Sequence, residues 1–315
     1  MTATVTATAP GKLIILGEHA VVYGKPAVAL AIDRRMRCTL SKASDATVNG
    51  RPLDVTKQPY IGNMMRHSPF PIRAETESSI PSGSGLGSSA ALSTAFLKAL
   101  NRLKGDDVDD KRLAEDAFLI EYEAQGRASP LDTSASTHGM GIALNGPEDS
   151  GDHLWDISKN GNTWSVRDIK IPKMTLVVGY TGIHAPTGPL VEKVRRYRNK
   201  CRFAVDMVNE IGKITLDGIN ALKKNDLVTL GKLMTDDHKL LSILGVSCNE
   251  LNKLVNTSLR YSYGAKLTGA GGGGSMIALT DCPEKVCESI SMRGGTPFVV
   301  RTGEPGAMIE KDRFK

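Results

Sequence analysis

Glycines alternate with other residues along positions 81–91, in the sequence PSGSGLGSSAA. Glycine at every second position disfavours a regular helix or strand, so we expect a loop whose backbone approaches a ligand closely. Apolar residues three or four apart follow at once and predict a helix. Because first-turn amides and the positive end of the helix dipole both attract an anion, this stretch predicts a phosphate site. The residues expected to form it are Pro81, Gly83, Ser84, Gly85, Leu86, Gly87, Ser88, Ser89 and Ala90.

This glycine-rich stretch matches neither of the two most common phosphate-binding patterns. No Gly-Lys-Ser/Thr closes it, as a Walker A loop requires, and Ser88 stands at the third glycine position of a dinucleotide fingerprint. A flexible surface loop followed by a serine N-cap is the plain alternative, and the pattern alone leaves it open.

Three ionisable residues flank a short apolar run near the start of the chain. Lys12 precedes residues 13–16, and Glu18 and His19 follow Gly17. Singly, each is more simply explained as a strand-end charge or a buried histidine. Together with the glycine-rich stretch they predict a cleft into which charged side chains project.

Two carboxylates lie beyond the glycine-rich stretch. Glu121 falls at the edge of the apolar stripe of a helix predicted from about residue 110 to 125, so it needs a hydrogen bond, an ion pair or a bound cation. Asp132 lies in the first turn of another predicted helix that starts at Pro130, where it could simply complement the helix dipole. The sharper hypothesis is that Asp132 is a catalytic acid facing the same site as Glu121.

A second glycine-rich stretch, with five glycines in residues 269–274, lies near the end of the chain. Gly269-x-Gly271-x-x-Gly274 has the spacing of a dinucleotide fingerprint, but it precedes a predicted strand instead of opening a helix. The stretch indicates a backbone folded tightly against a ligand or another loop.

The bulk properties restrict the class of protein. A chain of 315 residues can hold two domains, and its net charge of +6 is dispersed, so nucleic acid is not an expected partner. The five cysteines show no CxxC pair or metal-ligand spacing, which favours reduced thiols in the cytoplasm. Neither a secretory signal nor an apolar run of about 18 residues is present, so no membrane association is expected.

The periodicity predicts mixed helices and strands in two domains, residues 1–170 and 171–315. The first segment should contain an edge strand at 3–8, an exposed hairpin within 145–168, and three or four helices should follow in the second. Further predicted strands are residues 27–32, 35–40, 72–78, 139–144, 174–180 and 296–301, and further predicted helices are residues 59–67, 88–103 and 283–292.

Residues 10–24, 81–90 and 266–274, in this order, resemble the three signature motifs of the GHMP kinase family, named for galacto-, homoserine, mevalonate and phosphomevalonate kinases. The resemblance spans most of the chain. It implies an α/β (α+β) fold of two domains with the active site in the cleft between them and a ferredoxin-like C-terminal domain. The sequence Gly-Glu-His-Ala-Val-Val-Tyr-Gly is most similar to that of members that act on mevalonate, and the short length is similar to that of archaeal members.

The resemblance also implies roles for single residues. Asp132 matches the catalytic aspartate and Lys12 the lysine paired with it, while Ser89 and Glu121 match the Mg²⁺ ligands. On the substrate side it places Glu18, His19, Gly271 and Thr187, although the basic residue that commonly follows this threonine is missing here.

The implied activity is ATP- and Mg²⁺-dependent phosphorylation of the 5-hydroxyl of mevalonate in isoprenoid precursor biosynthesis. Asp132 would accept the hydroxyl proton or only orient the hydroxyl, and His19 or a nearby basic residue would meet the substrate carboxylate. The alternatives are a sibling kinase for phosphomevalonate, a sugar or the mevalonate 3-hydroxyl, and a relative that binds ligand without catalysis. A homodimer is common among members of the family.

Overall fold

The computed structural model describes residues 3–126 and 128–313. The first and the last strand of the described residues belong to the same large sheet. This sheet has nine strands in the described residues, and its longest strand, β2, pairs with β1 along one edge and with β6 and then β5 along the other. Its strands are β1 (Thr4–Leu16), β2 (Ala27–Lys42), β3 (Thr47–Val48), β4 (Arg51–Pro52), β5 (Ile72–Ser78), β6 (Gly141–Leu144), β7 (Asp152–Lys159), β8 (Asn162–Asp168) and β13 (Met308–Arg313).

Helices of the first half pack on this sheet or on one another, and two of them carry the predicted carboxylates. The central one, α2, is buried along much of its length and packs on β1 and β2, while α3 begins where the Asp109 side chain accepts a hydrogen bond from the Arg112 N–H at 2.8 Å. The four helices are α1 (Pro59–Arg66), α2 (Ser88–Lys104), α3 (Asp110–Gln125) and α4 (Leu131–His138). Pro130 is the N-cap of α4, one position before the predicted N1.

A second sheet of four strands has the order β10-β11-β9-β12, with every neighbouring pair antiparallel. Its strands are β9 (Thr175–Tyr180), β10 (Gly264–Thr268), β11 (Ser275–Leu279) and β12 (Thr296–Arg301), and its helices are α5 (Thr187–Lys200), α6 (Arg202–Lys223), α7 (Leu227–Ile243), α8 (Asn249–Ser258) and α9 (Pro283–Ser291). This is the strand order of a ferredoxin-like βαββαβ unit in which four helices occupy the first crossover, as the resemblance predicted. None of the helices in the described residues is long and apolar enough to cross a membrane.

Three predictions about the first sheet are wrong. Residues 3–8 are not an edge strand, because β1 continues to Leu16 and lies between β2 and β13. Residues 27–32 and 35–40 form one strand, whose polar residues 33–35 fall between the stretch paired with β6 and the stretch paired with β5. The hairpin at 145–168 is half-buried, because alternate residues in the middle of β7 and β8 face the core, namely Trp155, Ile157, Trp164 and Val166.

The boundary between residues 170 and 171 stays a prediction, and the last strand shows how the two halves are joined. β13 pairs with β1, so the end of the chain returns to the first sheet. Near the centre, the Thr268 hydroxyl of β10 accepts a hydrogen bond from the Ile14 N–H and donates one to the Ile14 carbonyl, each at 3.1 Å.

Helix α7 takes the place of a strand at the open edge of β10. The Ala265 N–H donates to the Thr235 hydroxyl and the Leu267 N–H to Nδ1 of His238, each at 3.2 Å. Two glycines, Gly231 and Gly264, let the helix backbone approach the strand. Side chains of α7 therefore satisfy edge amides that would otherwise be open to another strand.

We predict that Gly231→Ala destabilises the fold. Alanine gains about 1 kcal/mol of helix propensity. Its Cβ would, however, lie 2.4 Å from the backbone carbonyl carbon of Tyr263. Overpacking costs about 1–3 kcal/mol and more where backbone must shift, so we expect a net loss of about 2 kcal/mol in the free energy of unfolding, measured by urea denaturation. Gly188→Ala on α5 is the control, because nothing lies within 4 Å of its added Cβ. Equal midpoints for both variants would contradict the close approach.

Candidate active site

Lys12 lies in an irregular part of β1 that directs it toward the glycine-rich loop. The pairing of β1 with β2 shifts register between Pro10 and Lys12, and the Lys12 N–H donates to the Leu86 carbonyl at 3.0 Å instead. The side chain is 3% exposed, and its Nζ lies 3.0 Å from Oδ2 of Asp132 and donates to the Gly85 carbonyl at 3.1 Å. Asp132 is 36% exposed, so the pair joins a buried cation to a carboxylate that opens to solvent.

The glycine-rich loop follows β5 and leads into α2, as predicted. Gly83, Gly85 and Gly87 all have positive φ, between 70° and 79°, which explains why glycine occupies each of these positions. The Ser84 hydroxyl donates to the Pro81 carbonyl at 2.6 Å and so stabilises the turn. The loop carries the first-turn amides of α2, at Ser88 and after, next to Lys12.

Glu121 of α3 meets the same region from the other side. The Ser89 hydroxyl donates to Oε2 of Glu121 at 3.0 Å. Burial, together with repulsion from the Asp132 carboxylate, raises the pKa of Glu121 to about 7, although the Ser89 hydrogen bond and the Lys12 charge oppose this. Ser89, Glu121, Lys12 and Asp132 are therefore brought together from four different elements, as the sequence predicted, while their roles stay predictions.

Glu18 and His19 lie deeper than the sequence suggested. Glu18 is 2% exposed and its Oε1 contacts Nζ of Lys266 in β10. His19 is buried and its Nε2 lies 2.9 Å from the Ala270 carbonyl, so Nε2 carries the proton. Burial lowers the pKa of His19 to about 4, and Nδ1 has no hydrogen-bond partner among the described residues. A neutral ring whose Nδ1 lone pair is unpaired suits a hydroxyl donor, and the expected contact of His19 or a nearby basic residue with a substrate carboxylate stays a prediction.

Gly271 lies in the second glycine-rich stretch, and Thr187 lies at the start of α5. Gly271 has φ of 84°, and a Cβ there would lie 2.0 Å from the Val246 carbonyl oxygen, so its backbone packs against the α7–α8 connection. Thr187 is the exposed first residue of α5. The segment before it touches both glycine-rich loops, since the Gly274 N–H donates to the Ile183 carbonyl at 2.7 Å and the His184 ring stands over Gly83.

Sequence reasoning missed two buried ionisable residues, Lys266 and Asp237. Asp237 and His238 belong to the buried face of α7, at helical spacing from Leu230, Met234 and Leu241. Charged or polar residues on an apolar stripe are the signal that could have found them, because such groups need partners. A cavity of about 810 Å³ on α6, lined by residues such as Lys25 and Lys213, contains none of the predicted site residues.

Comparison with known proteins places the whole chain in one family. Residues 56–140 match the N-terminal domain of GHMP kinases and residues 219–290 match the C-terminal domain. The chain is 36% identical to a mevalonate kinase of Methanothermobacter thermautotrophicus over 88% of this chain and 90% of that protein. It is 33% identical to a mevalonate kinase of Thermococcus onnurineus over 98% of both.

Solved structures agree with the fold. L. major mevalonate kinase in complex with R-mevalonate superposes with a TM-score of 0.79 and 25% identity over 95% of each chain. Methanococcus jannaschii mevalonate kinase gives 0.75 and 25% identity over 95% of this chain and 98% of that one. The predicted two-domain GHMP kinase fold is confirmed.

We predict that Gly87→Ala impairs turnover by displacing Lys12. A Cβ at Gly87 would lie 2.9 Å from the Lys12 Cγ, and the ammonium would lose its position beside Asp132. We expect kcat to fall about 10- to 100-fold, as misplacement of catalytic groups commonly causes. The control is Gly105→Ala, which has a similar positive φ of 86° and nothing within 4 Å of its Cβ. If both variants lose turnover equally, backbone strain alone accounts for the effect.

Proposed function

Because the chain belongs to the GHMP kinase family, we propose that it transfers the γ-phosphate of ATP to the 5-hydroxyl of mevalonate, a step of isoprenoid precursor biosynthesis. The observation that carries the proposal is the Lys12–Asp132 pair at 3.0 Å, whose carboxylate is open to solvent next to the glycine-rich loop. The choice of mevalonate rests on the relatives named mevalonate kinase and on the L. major complex with R-mevalonate.

The chemistry of phosphoryl transfer needs positioning and charge neutralisation more than covalent help. The loop amides and the start of α2 would hold the ATP phosphates. The alcohol oxygen forms a bond to the γ-phosphorus as the bond to the bridging oxygen of ADP breaks. Asp132 takes up or orients the hydroxyl proton, and the Lys12 ammonium, already beside it, stabilises the negative charge that develops.

We propose Mg²⁺ as the cofactor, held by Ser89 and Glu121. The pair offers a hydroxyl and a carboxylate, the oxygen ligands that a hard cation prefers. Glu121 is buried next to the Asp132 carboxylate, which raises its pKa to about 7 in the absence of a cation. A bound cation would offset this repulsion, so the residues present fit it. When bound, it would neutralise charge on the phosphates.

On the substrate side, the proposal assigns a hydroxyl-binding role to His19. Its Nδ1 lone pair is an acceptor, because Nε2 donates to the Ala270 carbonyl. The mevalonate 3-hydroxyl has the donor that such an acceptor needs. Glu18 would act through its buried contact with Lys266 instead of touching substrate.

The substrate is tested by ADP release with Mg²⁺-ATP against mevalonate, phosphomevalonate, homoserine and galactose. We expect turnover with mevalonate alone, and phosphorus NMR should place the new phosphate on the 5-hydroxyl. Turnover with another alcohol, or phosphate on the 3-hydroxyl, would keep the kinase assignment and overturn the substrate. The control is Asp132→Ala, which should abolish turnover while nucleotide binding persists. Unchanged kcat in that variant would remove Asp132 from the mechanism.

A second prediction concerns the cation. Below pH 7 the Glu121 carboxyl is increasingly protonated, so apparent Mg²⁺ affinity should fall as the pH drops through about 7. Glu121→Gln should weaken that affinity by about 10- to 100-fold and flatten its pH dependence. Electron paramagnetic resonance, with Mn²⁺ in place of Mg²⁺ and without turnover, measures both the affinity for the cation and its pH dependence. The control is Glu123→Gln, an exposed neighbour on α3, and an unaltered metal dependence in Glu121→Gln would refute the ligand assignment.

We also propose a cytoplasmic location and a homodimer. All five cysteines are free thiols, which is typical of a reducing compartment. The dimer is proposed by analogy with the family, and light scattering distinguishes a monomer of 33.7 kDa from twice that mass.

A further inference from the structure

Three ionisable side chains form a buried cluster between the two sheets. Nζ of Lys266 contacts Oε1 of Glu18, lies 3.3 Å from Oδ2 of Asp237, and donates to the Leu267 carbonyl at 2.8 Å. The exposed fractions are 0% for the side chains of Lys266 and Asp237 and 2% for that of Glu18. Burying such a group of charges is costly, so the three residues need a structural or functional role.

Each member of this cluster comes from a different part of the chain. Glu18 follows β1 in the first motif, Lys266 lies on β10 in the third motif, and Asp237 lies on α7, outside all three motifs. Two further contacts run between the same segments, from Ile14 to Thr268 at 3.1 Å and from His19 to the Ala270 carbonyl at 2.9 Å. The cluster therefore belongs to a set of hydrogen bonds and ion pairs that hold the turn at residues 17–19 against the second sheet and the loop after β10.

That turn has a backbone conformation that needs support. Gly17 has φ of 97°, and His19, which has a side chain, has φ of 60° and ψ of −40°. A non-glycine residue in such a conformation persists only where its surroundings hold it. The surroundings here are the Glu18–Lys266 contact on one side and the His19–Ala270 hydrogen bond on the other.

The charges of the cluster do not balance unless a proton is bound. Glu18 and Asp237 share one ammonium, and Lys12, the next cation, is already paired with Asp132. Burial raises the pKa of both carboxyls, that of Asp237 to about 8, although the Lys266 charge opposes this in each. The shared proton belongs on Asp237, because Glu18 contacts the Lys266 ammonium directly and is also favoured by the Lys12 charge, whereas Asp237 lies 3.3 Å from that ammonium. The two histidines near the cluster are neutral, since burial lowers the pKa of His19 and that of His238 to about 4.

We propose that Asp237 is a positioning residue for the alcohol substrate, because its buried carboxyl lies 3.3 Å from the Lys266 ammonium, keeps that ammonium against Glu18 and thereby keeps the turn of His19 in place. The role rests on the proposed function in that His19 faces the alcohol. If Asp237 loses its proton, two carboxylates compete for the Lys266 ammonium. The ammonium is then shared between them, and its contact with Glu18 is weakened. Among the described residues, no ion pair joins the glycine-rich loop, which would hold ATP, to the three members of the cluster.

The kinetic test compares two substitutions of Asp237 with one of its neighbour. Asp237→Asn keeps the shape and the neutral state, so its KM for mevalonate at pH 7 should stay within about twofold, whereas Asp237→Leu should raise that KM about tenfold or more. The KM for ATP should change little in either. The matched control is Asp236→Asn, because Asp236 is the preceding residue, is 53% exposed and pairs with Lys239 at the surface.

The pH profile separates positioning from a merely structural role. In the unchanged protein the KM for mevalonate should rise as the pH passes about 8, where folded Asp237 loses its proton. Asp237→Asn cannot ionise there, so its KM should stay flat over the same range. If the KM for mevalonate rises equally above pH 8 in Asp237→Asn and in the unchanged protein, the proposal is overturned. Equal KM values for Asp237→Leu and the unchanged protein would also overturn it.

A measurement without substrate keeps this test independent of the substrate assignment. The folded protein holds the Asp237 proton up to about pH 8, whereas an ordinary aspartate releases it near 3.8. Stability from this group is therefore complete below about pH 4 and is lost as the pH rises to about 8. The Tm of Asp237→Asn should gain on that of the unchanged protein between pH 5 and 8 and then level off. A constant difference would refute the buried proton even if mevalonate proved to be the wrong substrate.

Discussion

The geometry of the site depends on the contacts of one buried group, the Lys12 ammonium. A cation with 3% exposure needs oxygen partners, and it finds them in the Gly85 carbonyl and the Asp132 carboxylate. These partners come from the glycine-rich loop and from α4, so one side chain of β1 fixes where both must lie. The register shift in β1 and the absence of a side chain at Gly87 both make room for it. The irregular backbone at this place is thus a requirement of the site.

Much of the fold could be predicted because local patterns and tertiary structure agree. Local patterns predicted the glycine-rich loop followed by α2 and the helix α3, while the ferredoxin-like order of the second sheet was implied by the family resemblance. The strand β2 was not predicted as one strand, since its polar residues 33–35 resemble a turn until its two different partners, β6 and β5, are known. The last strand, β13, was missed as well, because its sequence MIEKDR has little of the apolar alternation that marks a strand.

The site was predictable where a residue type and its chemistry point in the same direction. Ser89, Glu121, Lys12 and Asp132 do meet, as a phosphate loop with nearby carboxylates suggested. The buried charges behind the site, Glu18, Lys266 and Asp237, could not be predicted to pair. Which charge neutralises which depends on long-range contacts such as that between Glu18 and Lys266. The same holds for His19, whose neutral state follows from burial and whose Nε2 proton is placed by a hydrogen bond to a carbonyl 251 positions away along the chain.

The pairing of β13 with β1 has a consequence for biosynthesis. While the chain is being translated, the amino-terminal sheet is complete except for its outermost strand, and β1 presents unsatisfied backbone groups along that side. Only when residues 308–313 leave the ribosome can that side be covered. The first sheet therefore cannot be completed until residues 308–313 have been synthesised, and a chain that lacks them exposes an unpaired strand edge to which chaperones or other copies of the chain can bind.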